Sequence, residues 1–405
     1  MKLICKNILF VPQNQTHIEN LYPIANELNK LGCDVKFLSL ESYVGQEIFN
    51  TVGCDFEIIK FDENKSNNTF YRASFLGKIN LVFDFLKGIK TNDLDSPDFI
   101  VVCNDGAFQR AVFSKFPGSY RVLVLDGVIT DYAISITDVL KSRKFQTLAE
   151  YVKKRFDLYW SQIHRRIPHS VGCFLPSVIA TTKVDQIFVV SKYVEKFLRE
   201  ERFIKTALFS LGLPRYSEFT YFKDKYEKRD LVAGEPKIVL FISQGFAWHN
   251  EYENDLLQHE ELRLLLSMLE GNDEYRVVIR LHPRDLRGGY LSYNVEIEQD
   301  KVPVFESLSK AEMVVGLTST MLLEAAFLGA KVGFLRQSFL SSRLSNTFFE
   351  SPDFPKIKNR KDFFSLFSPK GVCEYTNLSY YFNPNEVNTV QNIVREMLSL
   401  SDEAI

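Results

Sequence analysis

The chain lacks several things that would have decided its class at once. No apolar run approaches the roughly 18 residues that a membrane-spanning helix needs, so none is expected. The six cysteines (Cys5, Cys33, Cys54, Cys103, Cys173, Cys373) are scattered, with no Cys-x-x-Cys pair and no zinc spacing. Several lie inside apolar runs, as buried thiols of a reducing compartment do. Neither charge sign is in excess: 49 basic and 51 acidic residues argue against a dedicated nucleic-acid binder. There is no repeat of solenoid period and no low-complexity segment. The opening residues run straight into an apolar strand (NILFVP), so no signal peptide is expected and a cytoplasmic location is.

What is present is an ordinary globular composition, 45% hydrophobic and 25% charged, on 405 residues, too long for one core. Apolar strands (NILFVP, DVKFLSL, DFIVVCN, YRVLVLDG, QIFVVS) alternate with helical periods such as LYPIANELNKLG. Such alternation, with strands apolar throughout, predicts parallel sheets covered on both faces, hence an α/β protein of two doubly wound domains. The predicted divisions are an N-terminal domain over 1–219, a linker over 220–235 (charged, ending Gly-Glu-Pro), a C-terminal domain over 236–383 and a terminal helix over 384–405.

One stretch organises the rest. RVVIRLHPRD (276–285) is an apolar strand ended by His282-Pro283, and AEMVVGLTSTMLLEAAFLG (311–329) is a strand followed by Thr318, Ser319 and Thr320 at a helix start closed by Gly329. In an open parallel sheet both clusters fall at carboxyl ends of strands, where such sheets bind ligands. The two are expected on neighbouring strands. An imidazole beside three hydroxyls and a helix N-terminus suits an anion such as phosphate.

The two-domain pattern resembles the GT-B architecture of nucleotide-sugar glycosyltransferases. Three motifs carry a narrower likeness to bacterial sialyltransferases and Kdo transferases that use CMP-activated donors: Asp126-Gly127 in VLVLDG, His282-Pro283 in RLHPRD, and Thr318-Ser319-Thr320 in GLTSTMLLEA. That family usually has two acidic residues before the Gly, where this chain has Leu125-Asp126-Gly127. Asn104-Asp105-Gly106 is a rival at another strand end. The resemblance implies a terminal helix that crosses back to the N-terminal domain, and an inverting enzyme that moves an acidic sugar (sialic acid, another nonulosonate or Kdo) to a bacterial surface glycan.

Each of these residues then has an expected chemistry. A sugar hydroxyl must lose a proton as it attacks, and a strand-end carboxylate is a suitable base: Asp126 first, with Asp105 and His17 as alternatives. The departing phosphate gains charge, which His282, Thr318, Ser319, Thr320 and the helix N-terminus can stabilise. Pro283, Ser243, Gln244 and Gly245 stand at the same edge as donor-binding candidates. The resemblance to GT-B enzymes, in which a glutamate near this point often contacts the ribose hydroxyls, makes Glu324 a candidate for that role, and Arg284 is a candidate for a donor carboxylate. No metal or other cofactor is expected, because Asp93-Leu94-Asp95, which has the letters of a metal-binding motif, precedes a strand. Between Lys141 and Arg166 eight Lys/Arg face only Glu150 and Asp157, with aromatic residues interleaved: a solvated helix face, or a surface for anionic lipid. The partners expected are therefore a nucleotide-sugar, a glycan acceptor and peripheral membrane contact through 141–166, and no nucleic acid. The rival readings are a CDP-glycerol or CDP-ribitol phosphotransferase, a UDP-sugar GT-B enzyme, and a non-catalytic GT-B-like glycan-binding scaffold.

Overall fold

The computed structural model describes residues 6–45, 47–49, 55–61, 70, 73–91, 95–129, 145–175, 180, 182–217, 219–227, 235–247, 251–283, 285–298, 302–336, 347–366, 377–383 and 388–401. The chain divides into two units. Unit 1 is Met1–Val128, Val152–Ser217 and Tyr380–Ile405; unit 2 is Ile129–Tyr151 and Glu218–Ser379.

Unit 1 holds seven strands: β1 (Asn7–Val11), β2 (Asp34–Leu38), β3 (Glu57–Ile59), β4 (Phe99–Val102), β5 (Tyr120–Val124), β6 (Gln186–Val189) and β7 (Ala207–Ser210), in the order β3-β2-β1-β4-β5-β6-β7. Every pairing is parallel. Phe10, Phe99, Val101, Val122 and Phe188 are buried, because helices cover both faces of the sheet. Four helices bear on the site: α1 (Gln15–Lys30), α2 (Phe75–Thr91), α3 (Ala107–Lys115) and α4 (Phe145–Arg166). Helix α1 starts where the Asn14 side chain accepts from the His17 N–H, and it buries Ile18, Leu21, Ala25 and Leu28 at helical spacing.

Unit 2 repeats the scheme with β8 (Lys237–Ile242), β9 (Tyr275–Arg280), β10 (Glu296–Ile297), β11 (Met313–Gly316), β12 (Lys331–Leu335) and β13 (Lys356–Ile357). Their order is β10-β9-β8-β11-β12-β13, again all parallel. In both sheets the order reverses beside the first strand, between β1 and β4 and between β8 and β11. Such reversal points open a crevice at the carboxyl ends of the strands. Gly316 allows a close approach at the second of them: a Cβ there would sit a tight 3.2 Å from the Ile242 carbonyl oxygen.

Two expectations need correction. The linker predicted over 220–235 is partly a helix, α5 (Phe219–Glu227), which belongs to unit 2. Its apolar period, Phe219, Phe222 and Tyr226, lies hidden among charges. Phe219 packs edge-on against Phe305 and Phe222 stacks on the same ring, while the Tyr226 hydroxyl donates to the Ala311 carbonyl. Residues 228–234 lie outside the described set. Secondly, β9 and β11 are not neighbours, because β8 runs between them. The last helix, α8 (Thr389–Ser401), follows two further unit 2 helices, α6 (Tyr252–Leu269) and α7 (Met321–Leu328), and packs on α1 of unit 1.

Candidate functional site

Unit 1 gathers a polar cluster at the carboxyl ends of β1 and β5. Asp126 follows β5, and Gly127 at φ +81° turns the chain just after it, a conformation that favours glycine. The Asp126 carboxylate accepts from Asn20 Nδ2 at 3.1 Å. Arg215 Nη1 lies 3.9 Å from one oxygen and His17 Nε2 lies 3.7 Å from the other. The Arg215 backbone N–H in turn donates to Asn20 Oδ1. Two groups read separately from the sequence as rival bases, His17 and Asp126, are therefore partners.

Their roles differ. His17 Nδ1 accepts from the Gln13 N–H at 3.1 Å, so in the neutral ring the proton sits on Nε2 and faces Asp126. Burial is the main cause that lowers the His17 pKa to about 4; Asp126 opposes the shift and Arg215 adds to it. The His17 side chain is 3% exposed and that of Asp126 20%, so solvent or substrate can reach only the carboxylate. Asp126 can take a proton, and His17 positions it.

Burying a neutral histidine has a consequence for stability. His17, and likewise His164 and His169, hold pKa values near 4 against an ordinary 6.5, with burial the leading cause each time. Below pH 6.5 the unfolded chain binds protons that the folded one refuses. Stability should therefore be full above about pH 7 and fall between 6.5 and 4, by on the order of 3 kcal/mol for His17 alone. Calorimetric Tm values across this range should drop on the acid side, and less so for His17→Gln. A Tm unchanged from pH 7 to 4.5 would refute this.

Asp105 leaves the list of bases. Its carboxylate accepts from the Ala180 N–H at 3.0 Å and the Thr182 N–H at 2.8 Å, and lies 3.7 Å from Arg110 Nη2. Arg110, from α3, is itself buried. It donates to Thr182 Oγ1 (2.6 Å) and the Gly172 carbonyl (3.0 Å), and Nη1 meets His164 Nε2 at 2.7 Å. A carboxylate so enclosed anchors the loop beside β4.

In unit 2 the expected donor residues do share one edge, joined by β8. The His282 N–H donates to Ser243 Oγ at 2.9 Å. Gln244 Oε1 accepts from both the N–H (3.2 Å) and the hydroxyl (3.1 Å) of Thr318. Gln258 of α6 braces Gln244 by accepting from its N–H (2.6 Å) and donating to its carbonyl (3.1 Å). It also donates to the Tyr290 hydroxyl, which donates to Asp285. One hydrogen-bonded chain thus runs from the loop after β9 to the head of α7. Gly245 is buried in the turn after β8, and Pro283 is exposed.

Helix α7 begins after Thr320, and Gly329 at φ +93° closes it. Ser319 Oγ accepts from the Met321 N–H. The Ser319 and Thr320 amides have no acceptor among the described residues. Unpaired N–H groups at a helix start, at the reversal point of a parallel sheet, are donors of the kind that suit an anion. Glu324 is buried on this helix, 8% exposed and partnered. Arg284 lies outside the described residues. Arg280 is an internal tie, donating to Glu298, Ser307 and the Val302 carbonyl.

Sequence reasoning missed three residues. Asn20 and Arg215 hold Asp126; the signal for Asn20 was an amide on the apolar face of α1, where it is fully buried. Arg336, just after β12, donates to the Leu317 carbonyl at 2.8 Å and to Glu350 at 2.7 Å, bracing the residue before Thr318. Its signal was a charge ending an apolar run.

Among the described residues no group of three His, Cys, Asp or Glu is placed to hold a metal ion, and no helix is long and apolar enough to cross a membrane. Helix α4 carries an exposed stripe: Val152 (58%), Phe156 (65%), Tyr159 (63%) and Ile163 (52%), spaced along one face. Of the basic stretch, residues 141–144 lie outside the described set.

No protein-family model matches the chain, and no curated protein sequence matches it. Solved structures do. One described as the wall teichoic acid polymerase TagF, soaked with CDPG, aligns with TM-score 0.54 at 10% identity, over 98% of this chain and 89% of that one. The glycotransferase of kitacinnamycin aligns at 0.54 and 12% identity, over 96% and 98%. UDP-GlcNAc 2-epimerase from Neisseria meningitidis, bound to UDP-GlcNAc, aligns at 0.54 and 15%, over 97% and 99%. These likenesses establish the fold, two Rossmann-like α/β units of the GT-B type.

Proposed function

We propose that the chain is an inverting, metal-independent glycosyltransferase that moves an acidic sugar from a CMP-activated donor to the hydroxyl of a bacterial surface glycan. The observation that carries this is the head of α7, where Gln244 holds Thr318 and the next two amides are left for an anion. In this reading unit 2 binds the donor nucleotide. Thr320, the Ser319 and Thr320 amides and the His282 imidazole receive the charge that grows on the phosphate. Unit 1 supplies Asp126. The acceptor O–H gives its proton to the carboxylate, its oxygen bonds to the anomeric carbon, and the bond from that carbon to the nucleotide oxygen breaks on the opposite side. The nucleotide leaves with the electron pair.

A second reading keeps the site and changes the donor to CDP-glycerol, CDP-ribitol or a UDP-sugar. The likeness to TagF and to a UDP-GlcNAc-bound epimerase favours it. Calorimetric titration with CMP, CDP and UDP separates the readings: CMP should bind without added metal. Thr320→Val together with Ser319→Pro, which removes two hydroxyls and one amide donor, should weaken it by about tenfold or more. Tighter binding of UDP or CDP would transfer the proposal to that donor. Binding of no nucleotide would favour the non-catalytic scaffold.

The acceptor side includes an anionic lipid surface. The α4 stripe is apolar, and the sequence of the same helix carries Lys153, Lys154, Arg155 and Arg166 with only Glu150 and Asp157 of opposite sign, while Arg165 is tied to the Arg202 and Phe203 carbonyls. A basic residue near an anionic surface contributes roughly 1 kcal/mol. The protein should therefore sediment with vesicles containing phosphatidylglycerol, release in high salt, and ignore pure phosphatidylcholine. Replacing Phe156, Tyr159 and Ile163 together by Ser should abolish sedimentation; equal binding by that variant would remove the lipid from the proposal.

A further inference from the structure

Unit 1 contains a cavity of about 490 Å³ that the chemistry above does not use. It lies where the sheet order reverses, at the carboxyl ends of β1 and β4, the position at which a doubly wound sheet takes a ligand. One end is polar: Gln13 follows β1 and Asn104 follows β4, and Asn104 Nδ2 donates to Gln13 Oε1 at 2.7 Å. The remainder is walled mainly by Ile79 and Val82 of α2, Phe108 of α3, and Phe70, Phe174 and Leu175. Phe75, 60% exposed, stands in the same wall, so the cavity reaches the surface there. The polar end adjoins the base: the Gln13 backbone N–H is the donor that fixes His17, and His17 faces Asp126.

We propose that this cavity binds an apolar aglycone, a hydrocarbon chain or aryl group, carried by the acceptor molecule, with the hydroxylated head at Gln13 and Asn104. The inference rests on unit 1 being the acceptor side. Three features of the walls support it. A free oligosaccharide offers hydroxyl groups on every face, and each would lose hydrogen bonds to water against Ile79, Val82, Phe108 and Phe174 without replacement. An apolar group gains on the same surface. The volume lies within the range that encloses a small organic molecule. The Gln13 and Asn104 amides stand together at one end and can seat the ligand head on the side of His17, and the one ammonium in the wall, Lys78, lies over the Phe70 ring at 5.5 Å.

The test needs no donor nucleotide and no turnover. Calorimetric titration with methyl, hexyl, octyl and decyl β-glucoside, each below its micelle threshold, should give one saturable site. Affinity should rise about fourfold per methylene until the cavity is full. Phenyl β-glucoside in a parallel arm distinguishes an aryl group from a chain. Ile79→Trp, which fills the cavity, should weaken octyl glucoside binding at least tenfold while its Tm stays near that of the wild type. Phe75→Ala, at the exposed mouth, should weaken it less and tests the site should Ile79→Trp fail to fold. Equal affinity for methyl and decyl glucoside, or an unchanged affinity in both variants, overturns the proposal. Because CMP binding to unit 2 is measured separately, its persistence in that case would leave the donor reading standing.

Discussion

Asp126→Asn should abolish most transfer while leaving the protein folded and able to bind nucleotide. The substitution keeps the shape of the side chain: the Asn oxygen can still accept from Asn20 Nδ2, while its NH2 takes the place of the oxygen that faced His17 Nε2. What it loses is the capacity to take a proton. General-base catalysis contributes about 10²–10⁴-fold, so kcat should fall by that factor with the nucleotide Kd unchanged. His17→Gln should cost less and should act on kcat, because it only orients the carboxylate. A variant Asp126→Asn with wild-type turnover would move the base elsewhere. Asp105 could not take its place, as its oxygens are committed to Ala180 and Thr182.

Arg110→Met should be the most destabilising single substitution in unit 1. The guanidinium is buried, and Thr182, Gly172, His164 and Asp105 all depend on it. Removing it strands the Asp105 carboxylate without its counter-charge, and breaking a buried pair in this way costs about 3–5 kcal/mol. Urea unfolding should show the midpoint shift. The double variant Arg110→Met with Asp105→Asn removes the stranded charge, so it should recover part of the loss. A midpoint within a few tenths of wild type for Arg110→Met would mean that Asp105 is held by its backbone donors alone. The two experiments separate the aspartates: one is read in turnover, the other in stability.

Much of the fold was legible in the sequence, and the reason is physical. A strand of a doubly covered parallel sheet must be apolar on both faces, so NILFVP, DFIVVCN and KIVLFIS announce themselves. The residue after each strand falls at the ligand edge, which made Asp126, Ser243, His282 and Thr318 readable as candidates. Lateral order was not legible. Nothing in the local pattern says that β8 inserts between β9 and β11, so the adjacency expected of His282 and Thr318 was wrong by one strand although both lie at the same edge. Groups that support a site from elsewhere in the chain were also hidden: Arg215 sits 89 positions from Asp126 and carries no motif. Helix α5 was obscured because its three packed rings, Phe219, Phe222 and Tyr226, are diluted by lysine, acidic residues and the exposed Tyr221.

The path of the chain through unit 1 sets the order in which the protein can be completed as it leaves the ribosome. Helix α8 lies on α1, Gln186 donates to the Glu396 carbonyl, and Thr389 donates to the Leu211 carbonyl. Phe382, fully buried, meets Tyr216 edge-on. Unit 1 thus waits for residues that follow the whole of unit 2 in the chain. During synthesis the face of α1 that α8 covers stays bare while the whole of unit 2 is translated, and that interval is when a chaperone has the most apolar surface to hold.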